Sequence, residues 1–149
     1  MVKKMDIKPK VINTESFQNE TGTLIAFNEF SLLPIKRLYS IENTNPEVVR
    51  AWQGHKIENK WFYVIEGAFV IAWVGIDDFE NPSTDLSSEF KIIEASENVV
   101  LHIPRGFANG LKAIKPNSRV LVFSDLSLIE AENDNFKYIS RNWLDWDKL

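Results

Sequence analysis

Apolar residues fall in short blocks along this chain. Segments of four to nine residues rich in β-branched and aromatic side chains run over 24–30 (LIAFNEF), 35–41 (IKRLYSI), 61–66 (WFYVIE), 68–76 (AFVIAWVGI), 90–94 (FKIIE), 99–103 (VVLHI) and 119–125 (RVLVFSD). Turn formers separate them: Gly22, Pro34, NTNPE, Gly67, ENPSTD, ASEN, PRG and KPNS. Helical periodicity is weak, and the C-terminal FKYISRNWLDW is too short to assign to either period. Many short strands without intervening helices predict an all-β sandwich or barrel.

Gly67, between two strongly apolar segments, reads as a tight hairpin. Both segments are apolar on both faces. Phe62, Val64, Ala68, Val70 and Ala72 share one parity; Trp61, Tyr63, Ile65, Phe69, Ile71 and Trp73 share the other. A strand with no polar face is covered on both sides. A partner subunit is the favoured second cover, and an N- or C-terminal arm is the alternative.

The length, 149 residues, suits one domain. The expected organisation is a single domain over 1–149, with 1–20 as an N-terminal arm and 130–149 as a C-terminal segment. The net charge is −4 and the 17 basic residues are scattered, so no nucleic-acid footprint is expected. The chain contains no cysteine, which removes disulfides, thiolate nucleophiles and Cys metal sites. The opening MVKKMDIKPK lacks the apolar core of a signal peptide, and no apolar run approaches a membrane span. A cytoplasmic protein with no membrane partner is the expectation.

Only two histidines, His55 and His102, are available for chemistry. No G-x-S-x-G elbow and no Gly-rich phosphate loop occurs. QGHKIE offers Gln53, His55 and Glu58 where a cupin-type metal site would place two histidines and a glutamate. IPRGFANG offers Asn109 at a later ligand position. Amide oxygens are weak ligands for zinc or iron, so no catalytic metal and no cofactor are expected. His102, in an apolar strand, reads as a half-buried structural residue. Around His55, the segment VVRAWQGHKIENK crowds Arg50, Lys56 and Lys60 into a possible proton-handling and anion-binding set. Gln53 and His55 share a strand face, while Arg50 lies before the strand settles or one face over. His55 is the only plausible general base there. Neighbouring cations would hold it neutral, and Lys60 could stabilise an oxyanion. The alternative is a solvated edge strand whose charge blocks aggregation.

These residues sit in a recognisable order. The stretch GTLIAFNEFSLLPIKRLYSI at 22–41, followed by RAWQGHK at 50–56, resembles the dTDP-sugar 3,4-ketoisomerase pattern G-x-L-I…I-K-R-x-Y-x-I…R-G-x-H-A-H-K. KWFYVIEG at 60–67 and IPRGFANGL at 103–111 resemble the dTDP-4-dehydrorhamnose 3,5-epimerases. Both belong to the RmlC-like, cupin-fold nucleotide-sugar isomerases and epimerases, and the likeness spans about residues 20–145. It implies a jelly-roll β-barrel, a homodimer, a dTDP-hexulose in the barrel mouth, and proton transfer next to a ketone without a metal. It makes His55 the base and Lys60 the residue that steadies the enolate oxygen, with Gln53 as a further oxygen donor and Tyr39 in the position of a ketoisomerase tyrosine. The implied substrate-binding set is Arg50, Arg37, Lys56, Trp61 and Asn109. Trp52, Trp61, Phe62 or Phe107 could stack on thymine. The chain also departs from the pattern. Gln53 replaces the epimerase base and cannot take a proton, Asn109 replaces a site histidine, and VLVFSDL lacks the epimerase's acid tyrosine. Ketoisomerase chemistry through His55 therefore survives better than 3,5-epimerisation, and a silent sugar-nucleotide binder remains an alternative.

Overall fold

A computed structural model describes residues 7–149; the first six residues of the expected N-terminal arm lie outside the described residues. Twelve strands account for most of the regular structure: β1 (Lys10–Ile12), β2 (Glu15–Asn19), β3 (Gly22–Ala26), β4 (Arg37–Asn43), β5 (Val49–His55), β6 (Lys60–Glu66), β7 (Ala68–Gly75), β8 (Ser88–Glu94), β9 (Val100–Ile103), β10 (Phe107–Ala113), β11 (Ser118–Ser124) and β12 (Phe136–Lys137). One short helix, α1 (Leu128–Glu132), is closed by a capping box between Ser127 and Glu130. Two five-stranded antiparallel sheets form, in the orders β1-β9-β6-β11-β4 and β12-β5-β10-β7-β8, and β2 pairs with β3 as a separate ribbon. The all-β expectation holds.

The inward side chains of the two sheets meet in one core. Phe62, Val64, Leu101, Ile103, Val120 and Val122 come from the first sheet, and Phe69, Ile71, Ile93, Leu111 and Ala113 from the second. Strand alternation then turns Trp61, Tyr63 and Val100 outward on one side and Val70, Ala72 and Val74 outward on the other. Each outer face is covered by the chain's own segments. Ile12, Phe27, Phe30 and Ile35 pack over the first sheet, with Phe30 at 6.0 Å from Trp61 and Phe27 edge-on to Tyr63 at 5.0 Å. Trp143, Leu144, Trp146 and Leu149 pack over the second. Every indole N–H in that cover donates to a carbonyl: Trp52 to Asn142, Trp143 to Ser83 and Trp146 to Ser140. The doubly apolar strands therefore need no partner subunit as their second cover. On the second sheet the C-terminal segment is the cover, as in the terminal-arm alternative; on the first the cover comes mainly from the loop between β3 and β4.

The hairpin expected at Gly67 is absent. The strands it joins, β6 and β7, lie in different sheets, so Gly67 is a corner between layers. Its φ is +68°, and a Cβ there would sit 2.1 Å from Ser118 Oγ. The ambiguous C-terminal stretch is mostly irregular, with β12 its only strand.

Candidate active site

At one end of the sandwich the sheets part, and a cavity of about 770 Å³ opens between edge strand β4 of the first sheet and β5 of the second. That volume suits a small-molecule ligand. Strand β4 contributes Arg37, Tyr39 and Ile41; β5 contributes Arg50, Gln53 and His55; β6 contributes Lys60 and Phe62; β10 contributes Asn109 and Leu111. Residues after β11 close one wall, among them Leu128, Glu132, Asn135 and Tyr138.

Arg50 reaches the same face as Gln53 and His55 through a β-bulge. Gln53 pairs with Asn109 and Ala51 with Gly110, so Trp52 is an extra residue in β5. Its backbone pairs instead with Tyr138, through Trp52 N–H to Tyr138 O and Tyr138 N–H to Trp52 O, both at 3.1 Å. The extra residue inverts the parity. Arg50 stands opposite Leu111, which faces the core, and thus shares the inner face with two odd-numbered residues.

His55 is buried, and its two nitrogens differ. Nδ1 lies 2.7 Å from the Asp134 carbonyl oxygen, an acceptor only, so Nδ1 carries the proton. Nε2 is then the lone-pair nitrogen, and it has no hydrogen-bond partner among the described residues. Burial lowers the basicity of His55 to a pKa of about 4, with the Lys60 ammonium as the next cause and Arg37 a smaller one; Asp134 acts in the opposite sense. The expected neutral imidazole is thus present, but burial is the main cause, and the cations responsible are Lys60 and Arg37 rather than Arg50 or Lys56.

The turn from His55 to Lys60 is pinned from both sides. The Asp134 carboxylate accepts the N–H groups of Lys56, Ile57 and Glu58 at 2.8–2.9 Å. Asp125 holds the Asn59 backbone and side-chain amides, each at 2.8 Å. Within this frame Glu58 is almost wholly buried. One of its oxygens accepts from Ser124 Oγ and faces Arg37 Nη2 at 3.5 Å; the other lies 3.2 Å from His55 Nδ1. Lys60 is buried too and donates to Gln53 Oε1 at 2.9 Å; Gln53 Nε2 donates in turn to Asn135. Tyr39 lies between two cations, with Arg37 5.2 Å and Lys60 5.9 Å from its ring centre.

His55, Glu58 and Asp134 lie close enough together to be weighed as a metal site. The donor set argues against one. The Asp134 carboxylate already accepts three backbone amides, Glu58 is shared with Ser124 and Arg37, and the His55 nitrogen that faces them is protonated. Beside Gln53 an ammonium already stands where a cation would have to go.

No protein-family model matches the sequence, and no curated protein matches it. Solved structures do. A 3,4-ketoisomerase from Helicobacter canadensis superposes with a TM-score of 0.69 at 20% identity, covering 96% of this chain and 95% of that one. An rmlC epimerase from Mycobacterium tuberculosis superposes with a TM-score of 0.75 at 13% identity, covering 93% and 74%. The chain has the RmlC-like cupin fold. A mutant of the 3,4-ketoisomerase QdtA from Thermoanaerobacterium thermosaccharolyticum, in complex with TDP-4-keto-6-deoxyglucose, superposes with a TM-score of 0.66 at 19% identity, over 90% of each chain. At these identities the fold is what is shared.

This cupin brings together Arg37, Tyr39, Arg50, Gln53, His55, Lys60 and Asn109 around one cavity. It does not bring Lys56 or Trp61 there. Lys56 lies past the end of β5 and sits over the rings of Phe79 and Phe136, 5.7 and 5.0 Å from their centres. Trp61 points to the outer face, stacked on His102 at 4.6 Å with 7° between the planes, because its neighbours Lys60 and Phe62 take the inner face. Trp52 is also unavailable for stacking on a base, since its ring is packed between Trp143 and Trp146. Sequence reasoning named Glu58 only as a metal position and missed Asp134, Asn135 and Glu132. Apolar periodicity carries no signal for a site wall built from the segment after α1.

Proposed function

We propose that this cupin is a nucleotide-sugar isomerase that acts on a dTDP-4-keto-6-deoxyhexose and moves its carbonyl from C4 to C3 without a metal. The observation that supports this most directly is His55, whose Nδ1–H is fixed on the Asp134 carbonyl and whose Nε2 has a free lone pair. Nε2 takes the C3 proton, the C–H electron pair forms the C3–C4 double bond, and the carbonyl electrons move to O4. The Lys60 ammonium and the Gln53 amide stand near enough to one another to stabilise that oxygen together. The proton on O3 passes to O4, O3 becomes the carbonyl, and the imidazolium returns a proton to C4. Tyr39 is the phenol available to move protons between the oxygens. Arg50 and Arg37, on the cavity wall, are the groups for the diphosphate. The 3,5-epimerase reading keeps one support: Tyr39 pairs across the sheet with Val122, so β4 places a phenol beside the strand that lacks one.

The test is NMR of the protein with dTDP-4-keto-6-deoxyglucose in deuterated water. Formation of the 3-keto sugar, with deuterium at its C4 and at C3 of the recovered substrate, is expected, and exchange at C5 would favour the epimerase. Binding without exchange would make the cupin a silent sugar-nucleotide binder. His55→Gln is expected to lower C3 exchange by about 10²–10⁴-fold while leaving dTDP binding by calorimetry nearly unchanged. An unaltered rate in that variant removes His55 as the base.

A further inference from the structure

Glu58 has a buried carboxylate that the reaction above does not use. Its exposure is 1%. Its backbone is held by Asp134, and its Oε2 is held by Ser124 Oγ and faced by Arg37. Its Oε1 has no hydrogen-bond partner among the described residues and stands 3.2 Å from His55 Nδ1. The Nδ1 proton already points at the Asp134 carbonyl, so Oε1 lies off that axis and interacts with the ring by its charge. A buried anion left half-satisfied beside a neutral ring is unfavourable at rest. It becomes favourable when the ring turns cationic, because opposite charges in a poorly screened interior attract strongly.

We infer that Glu58 is a positioning residue for His55: its carboxylate, beside the Nδ1–H edge of the ring, supplies the counter-ion when Nε2 takes a proton. The inference rests on His55 being the base of the proposed isomerisation. Charged groups face His55 from four directions: Arg37 on β4, Lys60 on β6, Glu58 in the turn, and Asp134 after α1. The Asp134 carboxylate is occupied by three amides. Lys60 opposes a positive ring. Glu58 alone among these groups has an anionic oxygen to spare.

The experiment needs no substrate for its first readout. With only two histidines in the chain, 15N NMR of labelled imidazoles follows each ring, and His102→Phe assigns them. In the wild type His55 is expected to hold its proton on Nδ1. In Glu58→Gln the protonation midpoint of His55 is expected to move to lower pH, with Nδ1 still protonated because the Asp134 carbonyl is unchanged. Glu58→Asp keeps the charge but draws it back by one methylene, and is expected to shift the midpoint in the same direction by less. It also serves if Glu58→Gln does not fold. In the deuterium-exchange assay Glu58→Gln is expected to lower kcat about 10–100-fold, the range found when a carboxylate that orients a metal-bound histidine is removed, with KM unchanged and partial recovery in Glu58→Asp. A His55 midpoint equal to wild type in either soluble variant overturns the inference. Absence of both the 3-keto product and C3 exchange in the wild type would instead overturn the isomerase reading, and the imidazole titration would still report on Glu58.

Discussion

His55 and His102 are both held neutral by burial, each at a pKa of about 4, but they occupy opposite faces of the barrel wall. His55 lines the cavity. His102 is sandwiched outside it, stacked on Trp61, with Nε2 buried and unpartnered among the described residues. An unfolded histidine titrates near 6.5, so between about pH 4 and pH 6.5 the unfolded chain binds more protons than the folded one. Stability therefore rises with pH across that window and is lost on acidification, by at most about 1.4 kcal/mol per pH unit for each group. His102→Phe keeps a stacked ring and removes one of the two contributions. Its melting temperature is expected to fall less than that of the wild type between pH 7 and pH 4.5, and an equal fall would show that His102 does not carry the linkage. His55 stood out in the sequence as one of two histidines in a charged segment. The groups that govern it did not, because Asp134 lies 79 positions away and acts through its backbone carbonyl as well as its carboxylate.

Strands announced by unbroken apolar runs were legible: β6, β7, β9 and β11 begin and end within a residue or so of the expected segments. Strand β10, FANGLKA, was not, because Asn109, Gly110 and Lys112 break its pattern. Gly110 is required there by close approach, since a Cβ would lie 2.6 Å from Ala51 Cβ and 2.8 Å from the Trp146 ring. Nor could the side-chain pattern show the bulge at Trp52, which carries Arg50 into the cavity. The corner at Gly67 supplies a test of the layer crossing. Gly67→Ala combines a left-handed backbone with overlap against Ser118, including its Cα at 3.0 Å, and is expected to cost at least roughly 2 kcal/mol. Gly22→Ala, at φ +131° with open space around it, carries strain without overlap. Thermal melts should show the larger loss at Gly67; equal losses would mean that Ser118 moves aside freely.

Across the whole molecule, the outer faces of the central strands β6 and β7 are closed by the chain's own ends and loops, which changes the grounds for assembly. A second copy has the edge strands β1, β4 and β8, the exposed β2–β3 ribbon and the outward-facing Leu38, Phe90 and Ile92 available to it, but not the outer faces of the central strands. The homodimer thus remains a proposal that rests on the resemblance. Sedimentation equilibrium is expected to give twice the 17.2 kDa chain mass, and a 17.2 kDa species would dismiss it. Among the described residues, no helix is long and apolar enough to cross a membrane. The placement of the indoles has an optical consequence. Trp52, Trp143 and Trp146 cluster with ring centres 5.5–5.7 Å apart from Trp52, on the outer side of one sheet, and Trp61 sits on the outer side of the other. Rings that close couple their excited states, so the near-ultraviolet dichroism of this cluster records whether the C-terminal wrapping is in place. A detached C-terminal wrapping would change the cluster's signal while the inner core stayed intact, whereas Trp73, which packs on the inner core and pairs with Asn109 of the cavity, is the indole placed to sense a ligand.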